Sequence, residues 1–228
     1  MTGSEFLKLE KDKLLNHSIF SDEFITAISS QNIFSRSQAK IFARLYYPHI
    51  LRTRLYQANT LGITPDENIQ FVLSEILYDE YGLGKKECSH MEQYRKFMYA
   101  LEFSQEEINQ QHIIPELQMY INTMMRLTQS NNWLTAVAAV GIASEHPIPK
   151  YYQLLLKSLR NIPDINDHAL ELFIGHVELD VEHSQLIEDA LLPHLENRAN
   201  QEKFSQGLKI NMDARKAFHA GLYREIFA

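Results

Sequence analysis

One cysteine, Cys88, stands in 228 residues. A lone thiol closes no internal disulfide, so the fold must rest on burial, and this usage suits a reducing cytoplasm. Eight glycines and seven prolines are few. Strand-rich folds need frequent turn residues, so their scarcity points away from a sandwich or barrel. Basic side chains are also short, 22 against 29 acidic, for a net charge of −7. That balance disfavours nucleic acid as the main partner, because a phosphate-binding face needs a basic stripe. No uninterrupted apolar run approaches the roughly 20 residues of a membrane span. The opening MTGSEFLKLEKDKLL lacks a signal peptide's apolar segment. What is present excludes disorder: 45% of residues are apolar and 11% aromatic. The expectation is a soluble, cytoplasmic protein with one domain over residues 1–228, its first 20 residues an N-terminal extension or short helix.

Helical periodicity dominates the rest. Ser21 before Asp22 and Glu23 reads as an N-cap with an acidic first turn. Ser35 or Ser37 starts a longer helix, kinked where Pro48 removes a backbone donor. After a break at Gly62–Pro65, a helix beginning near Asp66 carries Ile69, Val72, Leu73, Ile76 and Leu77 as one apolar stripe. Glu80 falls close to that stripe and therefore faces the interior. Gly82 and Gly84 end or bend this helix. Further helices are expected from Ser89 to Phe103, after a Ser104–Glu107 capping box, and from Pro115. WLTAVAAVGIA is apolar on nearly every face, as a central helix must be. IPKYYQLLLKSL follows two prolines, and a helix of about seven turns follows Asp164 or Asn166. The last helix runs from Asn200 to Ile226. The reading is an all-α single domain of seven to nine helices.

The strongest chemical signal is His176-x-x-x-Asp180-x-x-His183. At roughly 100° per residue these side chains fall within about 60° of one another on one helix face. Two imidazoles and a carboxylate suit a first-row transition metal, and do not suit calcium, which takes oxygen ligands. A solvated polar face is the competing reading, since Glu171, Glu178 and Glu182 share the helix. Glu145 weighs against it. This acid ends the most apolar helix, where an ionised carboxylate is costly unless paired or metal-bound. Glu80 on its stripe and His90 beyond the glycines complete six donors from four helices: Glu80, His90, Glu145, His176, Asp180 and His183. Six such ligands suffice for two divalent ions with bridging carboxylates and open positions for oxygen. Glu87-x-x-His90 and the Asp180-to-His183 segment suggest a ferritin-like layout instead. Glu87, however, lies in a polar stretch just after two glycines, and that scheme has no place for His176, so Glu80 is preferred.

In these residues the chain resembles the heme-oxygenase-like di-iron oxidases and oxygenases. The resemblance starts at Leu45-Tyr46-Tyr47-Pro48-His49-Ile50, similar to the family's Tyr-Tyr-x-His segment. It continues through Asp79-Glu80-Tyr81-Gly82-Leu83-Gly84, His90 and Glu145-x-x-Ile148-Pro149, and closes with His176, Asp180 and His183. It implies a seven-helix heme-oxygenase-like fold, shared with thiaminase relatives, in which these six positions bind two Fe(II) ions, with Mn as the alternative metal. It also implies O2 as co-substrate, a homodimer, and a small substrate, amino-acid-derived, that is oxidised, fragmented or N-oxygenated. No catalytic residue beyond the metal ligands is implied. The family's p-aminobenzoate-forming members, typified by the Chlamydia protein associating with death domains, consume a tyrosine of their own. The matching Phe24-Ile25-Thr26 lacks one. Ser144 stands where those enzymes have a tyrosine, and Leu155 where they have a lysine, which disfavours self-sacrifice here.

Three alternatives remain at this level: such a p-aminobenzoate-forming enzyme, an interaction protein on the same scaffold, and a thiaminase-like hydrolase using Cys88. Activated thiolates need companions that are not identifiable near Cys88. Tyr46, Tyr47 and His49 are read as core or core-edge rather than pocket residues, and His146 as turned away by Pro147. Met119, Met124 and Met125 are read as core filler.

Overall fold

The computed structural model describes residues 1–29 and 34–228, and several of its helices begin where short polar side chains take up free backbone donors. Thr2 and Glu5 form a capping box on α1 (Gly3–Leu15). Asp22 Oδ1 accepts from the Ile25 amide at 2.8 Å to open α2 (Glu23–Ser29). The expected cap, Ser21, instead bonds back to the Ser18 carbonyl at 3.3 Å. The carboxylate serves better because its charge adds to the attraction of the helix dipole. Ser35 and Gln38 cap α3 (Arg36–Ile63), which continues through Pro48. Asp66 Oδ1 accepts from Ile69 N at 3.0 Å and opens α4 (Glu67–Glu80). Next comes α5 (His90–Ala100), which stops short of Phe103. Glu102 adopts a left-handed backbone, φ 64°, so that Phe103 N bonds back to Met98 O at 3.2 Å and closes the helix.

The Ser104–Glu107 box opens α6 (Gln105–Asn109), and Pro115 occupies the first turn of α7 (Pro115–Thr128). A continuous rod follows: α8 (Trp133–Val137), a π-helical stretch Ala138–Ile142, and α9 (Ala143–Glu145). The chain then forms α10 (Ile148–Leu159), α11 (Glu171–Leu191) and α12 (Arg198–Phe227). The helix expected straight after Asn166 starts later. Asn166 Oδ1 takes the Ala169 amide at 3.1 Å in a separate turn, leaving α11 with 21 residues, about six turns. Nine helices have seven or more residues, and no strand occurs among the described residues. None of these helices is long and apolar enough to cross a membrane.

The rod through residues 133–145 divides the core. Ala139 and Val140 pack into a large aromatic cluster with Phe42, Tyr94, Phe97 and Phe173. Leu134, Val137, Ala138 and Ile142 pack into a second cluster with Leu73, Ile187 and Phe204. Every residue from 134 to 143 is buried. Each fully buried large side chain contributes roughly 1.5–3 kcal/mol by leaving water. A rod apolar all round can be stabilised only between two cores. Its end therefore delivers Glu145, 7% exposed, to the middle of the molecule.

Candidate metal centre

Between α4 and α5 the chain reverses through Gly82, Leu83 and Gly84, all with positive φ, at 71°, 54° and 80°. The Gly82 amide bonds to Asp79 O at 2.8 Å and the Leu83 amide to Tyr78 O at 3.0 Å. A Cβ on Gly82 would lie 2.4 Å from Lys85 O and 2.5 Å from Ser89 N. Only glycine lets the start of α5 approach the end of α4 so closely. That approach sets Glu80 against His90, with Oε2 3.0 Å from Nδ1. Gln57 Nε2, from α3, donates to the other Glu80 oxygen at 3.4 Å.

From the facing helix α11, His176 joins this pair, its ring centre 4.3 Å from that of His90. The donor atoms of Glu80, His90 and His176 all lie within 4.8 Å of one another. Glu145 at the rod's end forms a second such group with Asp180 and His183. All six sequence-selected residues thus converge, three and three. The α11 trio is split between the groups: His176 belongs to the first, and Asp180 and His183, one and two turns further on, belong to the second. Two histidines with one carboxylate in the first group match the donor set that non-heme Fe(II) takes with positions left open.

Charge is unbalanced here in a way that cations would relieve. Burial, then Glu145 and Glu80, lifts the Asp180 carboxyl well above the usual carboxylate range. Burial also works to raise Glu80, but His90, His176 and His183 outweigh it and hold that carboxyl at about 2. Burial, with His90 beside it, pushes His176 down to about 3. His183 loses its charge preference to burial but regains it from Glu145 and Asp79, which hold it up at about 9. Asp180 Oδ1 is buried without a hydrogen-bond partner, and His90 Nδ1, 3.0 Å from Glu80 Oε2, makes no well-aligned hydrogen bond. Buried polar atoms are almost always paired, so an orphaned carboxylate oxygen and a poorly satisfied imidazole in one cluster are what bound cations would satisfy. The residues fit a pair of metal ions.

The outer ring nitrogens are held as ligand histidines require. His176 Nδ1 lies 2.6 Å from the Leu172 carbonyl and donates to it, which leaves Nε2 as the free donor. His183 Nε2 lies 2.9 Å from Asp79 Oδ2, which leaves Nδ1 facing Glu145. Asp79 is the residue that sequence reasoning missed. Its only signal was adjacency to Glu80, because its partner is 104 residues away.

Both groups line a cavity of about 50 Å³. His49, Thr53, Tyr56, Tyr120, Tyr152, Ser144 and Arg215 complete its polar wall, and Ile50, Val140, Ile148 and Leu172 its apolar wall. His49, read from sequence as core, is both buried and a wall residue; Tyr46 stays in the core. Tyr47 accepts from Arg95 Nε at 2.7 Å, away from the cavity. Glu87 is exposed. Cys88 is exposed too and lines no part of the cavity. His146 points toward a different groove, beside Glu188 and Lys11.

Comparison with known proteins agrees with this architecture. The profile of a family described as an iron-containing redox enzyme matches residues 40–216, which include all six donors. A CADD-like protein of unknown function from Nostoc punctiforme superposes with a TM-score of 0.79 at 14% identity, covering 99% of both chains. A domain of unknown function with a heme oxygenase-like fold from Shewanella denitrificans gives 0.73 at 14% identity over 97% of this chain and 90% of that one. A TenA homolog from Pseudomonas syringae gives 0.71, also at 14% identity, over 96% and 90%. No curated protein sequence matches the chain. The fold is heme-oxygenase-like.

Proposed function

Because the chain belongs to the iron-containing redox enzyme family, we propose that the paired donor groups hold two iron ions and that the protein is an O2-dependent di-iron oxidase or oxygenase of a small molecule. The observation that carries this reading is the convergence of Glu80, His90 and His176 beside Glu145, Asp180 and His183 in one cavity. Iron, when bound, would supply electrons for reducing dioxygen.

The chain's own residues do the rest. Glu80, His90 and His176 offer one ion a carboxylate and two imidazoles; Glu145, Asp180 and His183 offer the other two carboxylates and one imidazole. Asp79 and the Leu172 carbonyl fix which imidazole nitrogen faces inward. Val140, Ile148 and Leu172 keep bulk water from the reacting space. With three protein donors to each ion, coordination positions would be left open for dioxygen and substrate.

Anaerobic titration with Fe(II) should saturate at about two ions per chain, and mixing the loaded protein with oxygen should produce a transient visible absorbance. Glu145→Ala and His176→Ala should each reduce iron uptake and abolish that absorbance. Uptake unchanged in both variants, or none in the parent, would sink the proposal.

A further inference from the structure

Among the described residues, Arg215 is the one permanently charged wall residue outside the two donor groups. It projects from the middle of α12, is 8% exposed, and pairs with no carboxylate among the described residues. Its Nη2 donates to Ser144 Oγ at 3.3 Å, and its Nε has no partner. Asp180 feels its charge without pairing with it, and a buried guanidinium with no paired anion is costly, so a ligand that supplies one would stabilise it.

The π-helical stretch holds it in place. Ser144 Oγ donates to the Ala139 carbonyl at 3.1 Å and accepts from Asn211 Nδ2 at 3.0 Å, so the hydroxyl that receives Arg215 is itself fixed. Two more buried wall atoms lack partners, Tyr56 Oη and His49 Nδ1. Burial, with Arg215 close by, pushes His49 down to about 3, so it stays neutral beside the guanidinium. Three unpartnered polar atoms, Arg215 Nε, Tyr56 Oη and His49 Nδ1, therefore belong to the wall of one small space that also has an apolar side.

We propose that Arg215 receives the carboxylate of a small organic acid, whose apolar stem lies along Val140, Ile148 and Leu172 in the cavity that holds the donor groups. A planar guanidinium fork matches a carboxylate in shape as well as charge. The inference rests on the reading of this cavity as the reaction site and names its substrate class. Under that reading two divalent ions and Arg215 exceed the charge of Glu80, Glu145 and Asp180, and an anionic ligand reduces the excess.

Calorimetric titration of the Mn(II)-loaded protein with butyrate, 2-aminobutyrate and butyramide tests this. At least one carboxylate should bind about tenfold or more tighter than the neutral amide, as a charge-assisted pair implies. Tighter butyrate marks a plain acid, and tighter 2-aminobutyrate an amino acid. Arg215→Gln should remove the preference with Mn(II) stoichiometry unchanged, and Arg215→Lys should keep part of it. Equal affinity for all three probes, or a preference that survives Arg215→Gln in a folded, metal-loaded protein, overturns the assignment. If Arg215→Gln does not fold, Ser144→Ala takes its place and should weaken the preference; an undiminished preference there counts against it. Failure of the parent to take up Mn(II) overturns the metal reading instead, and the same three-probe comparison on the metal-free chain then decides the carboxylate assignment alone.

Discussion

At Asp79 a carboxylate 2.9 Å from His183 Nε2 does two things at once. It selects the imidazole tautomer that faces Glu145, and with Glu145 it keeps a proton on His183 up to about pH 9. A metal ion must displace that proton, so Mn(II) affinity should climb as pH rises toward 9. Asp79→Asn removes the charge that raises His183, so the climb should move to lower pH. Loss of the outer-layer anchor should also weaken binding by about 10–100-fold at its plateau. A pH series of Mn(II) titrations reads both effects, and an unmoved curve would count against the role given to Asp79. The six donors were legible in the sequence because their chemistry is unusual for their places, acids on apolar helices above all. Asp79 was not, because a carboxylate at a helix end is ordinary until its distant partner is known.

Among elements, the left-handed turn at residues 82–84 does the most for the site. Gly82→Ala would force a Cβ to within 2.5 Å of three backbone atoms, Lys85 O, Cys88 C and Ser89 N, at φ 71°. It should cost about 1–3 kcal/mol of stability and move His90 away from Glu80, weakening metal uptake by the first donor group. Gly62→Ala is the matched control. It lies inside α3 with nothing within 4 Å of its Cβ, and should be neutral or stabilise the helix by up to about 1 kcal/mol. Chemical denaturation beside Mn(II) titration separates the two variants. The glycines announced a break in the sequence, but not that the break brings two ligands together. Similarly, the spacing on α11 showed one polar row, whereas the packed helices assign its members to two groups. The row is continuous; its partners, on α4 and α5 at one end and α9 at the other, are not.

For the molecule as a whole, three carboxylates gathered in one cavity, Glu145 and Asp180 buried and Glu80 nearly so, should make the metal-free chain the less stable form. On the proposed reading metal would bind only the folded state, which assembles the six donors, and would so add its binding free energy to folding. At a hundredfold excess over Kd this is about 2.7 kcal/mol. For a chain of this size it corresponds to a rise in Tm of about 5–10 °C. Thermal unfolding with Mn(II) and after chelation should show that gap, and Glu145→Ala should narrow it. An equal Tm in both conditions would mean that no ion is held by the fold.

By itself the sequence determined the class of fold and singled out the six donors that the fold brings together. Helical periodicity, few turn residues and a rod apolar on all faces leave little besides a layered helical bundle, and acids out of place on apolar surfaces can be kept there only by partners. Both are local properties, read within a few turns of chain. What only the tertiary structure decided is how the parts meet: the three-and-three grouping, Asp79 behind His183, and Arg215 facing the same cavity from the last helix. Those depend on helix crossings between residues scores of positions apart, and no local preference encodes them.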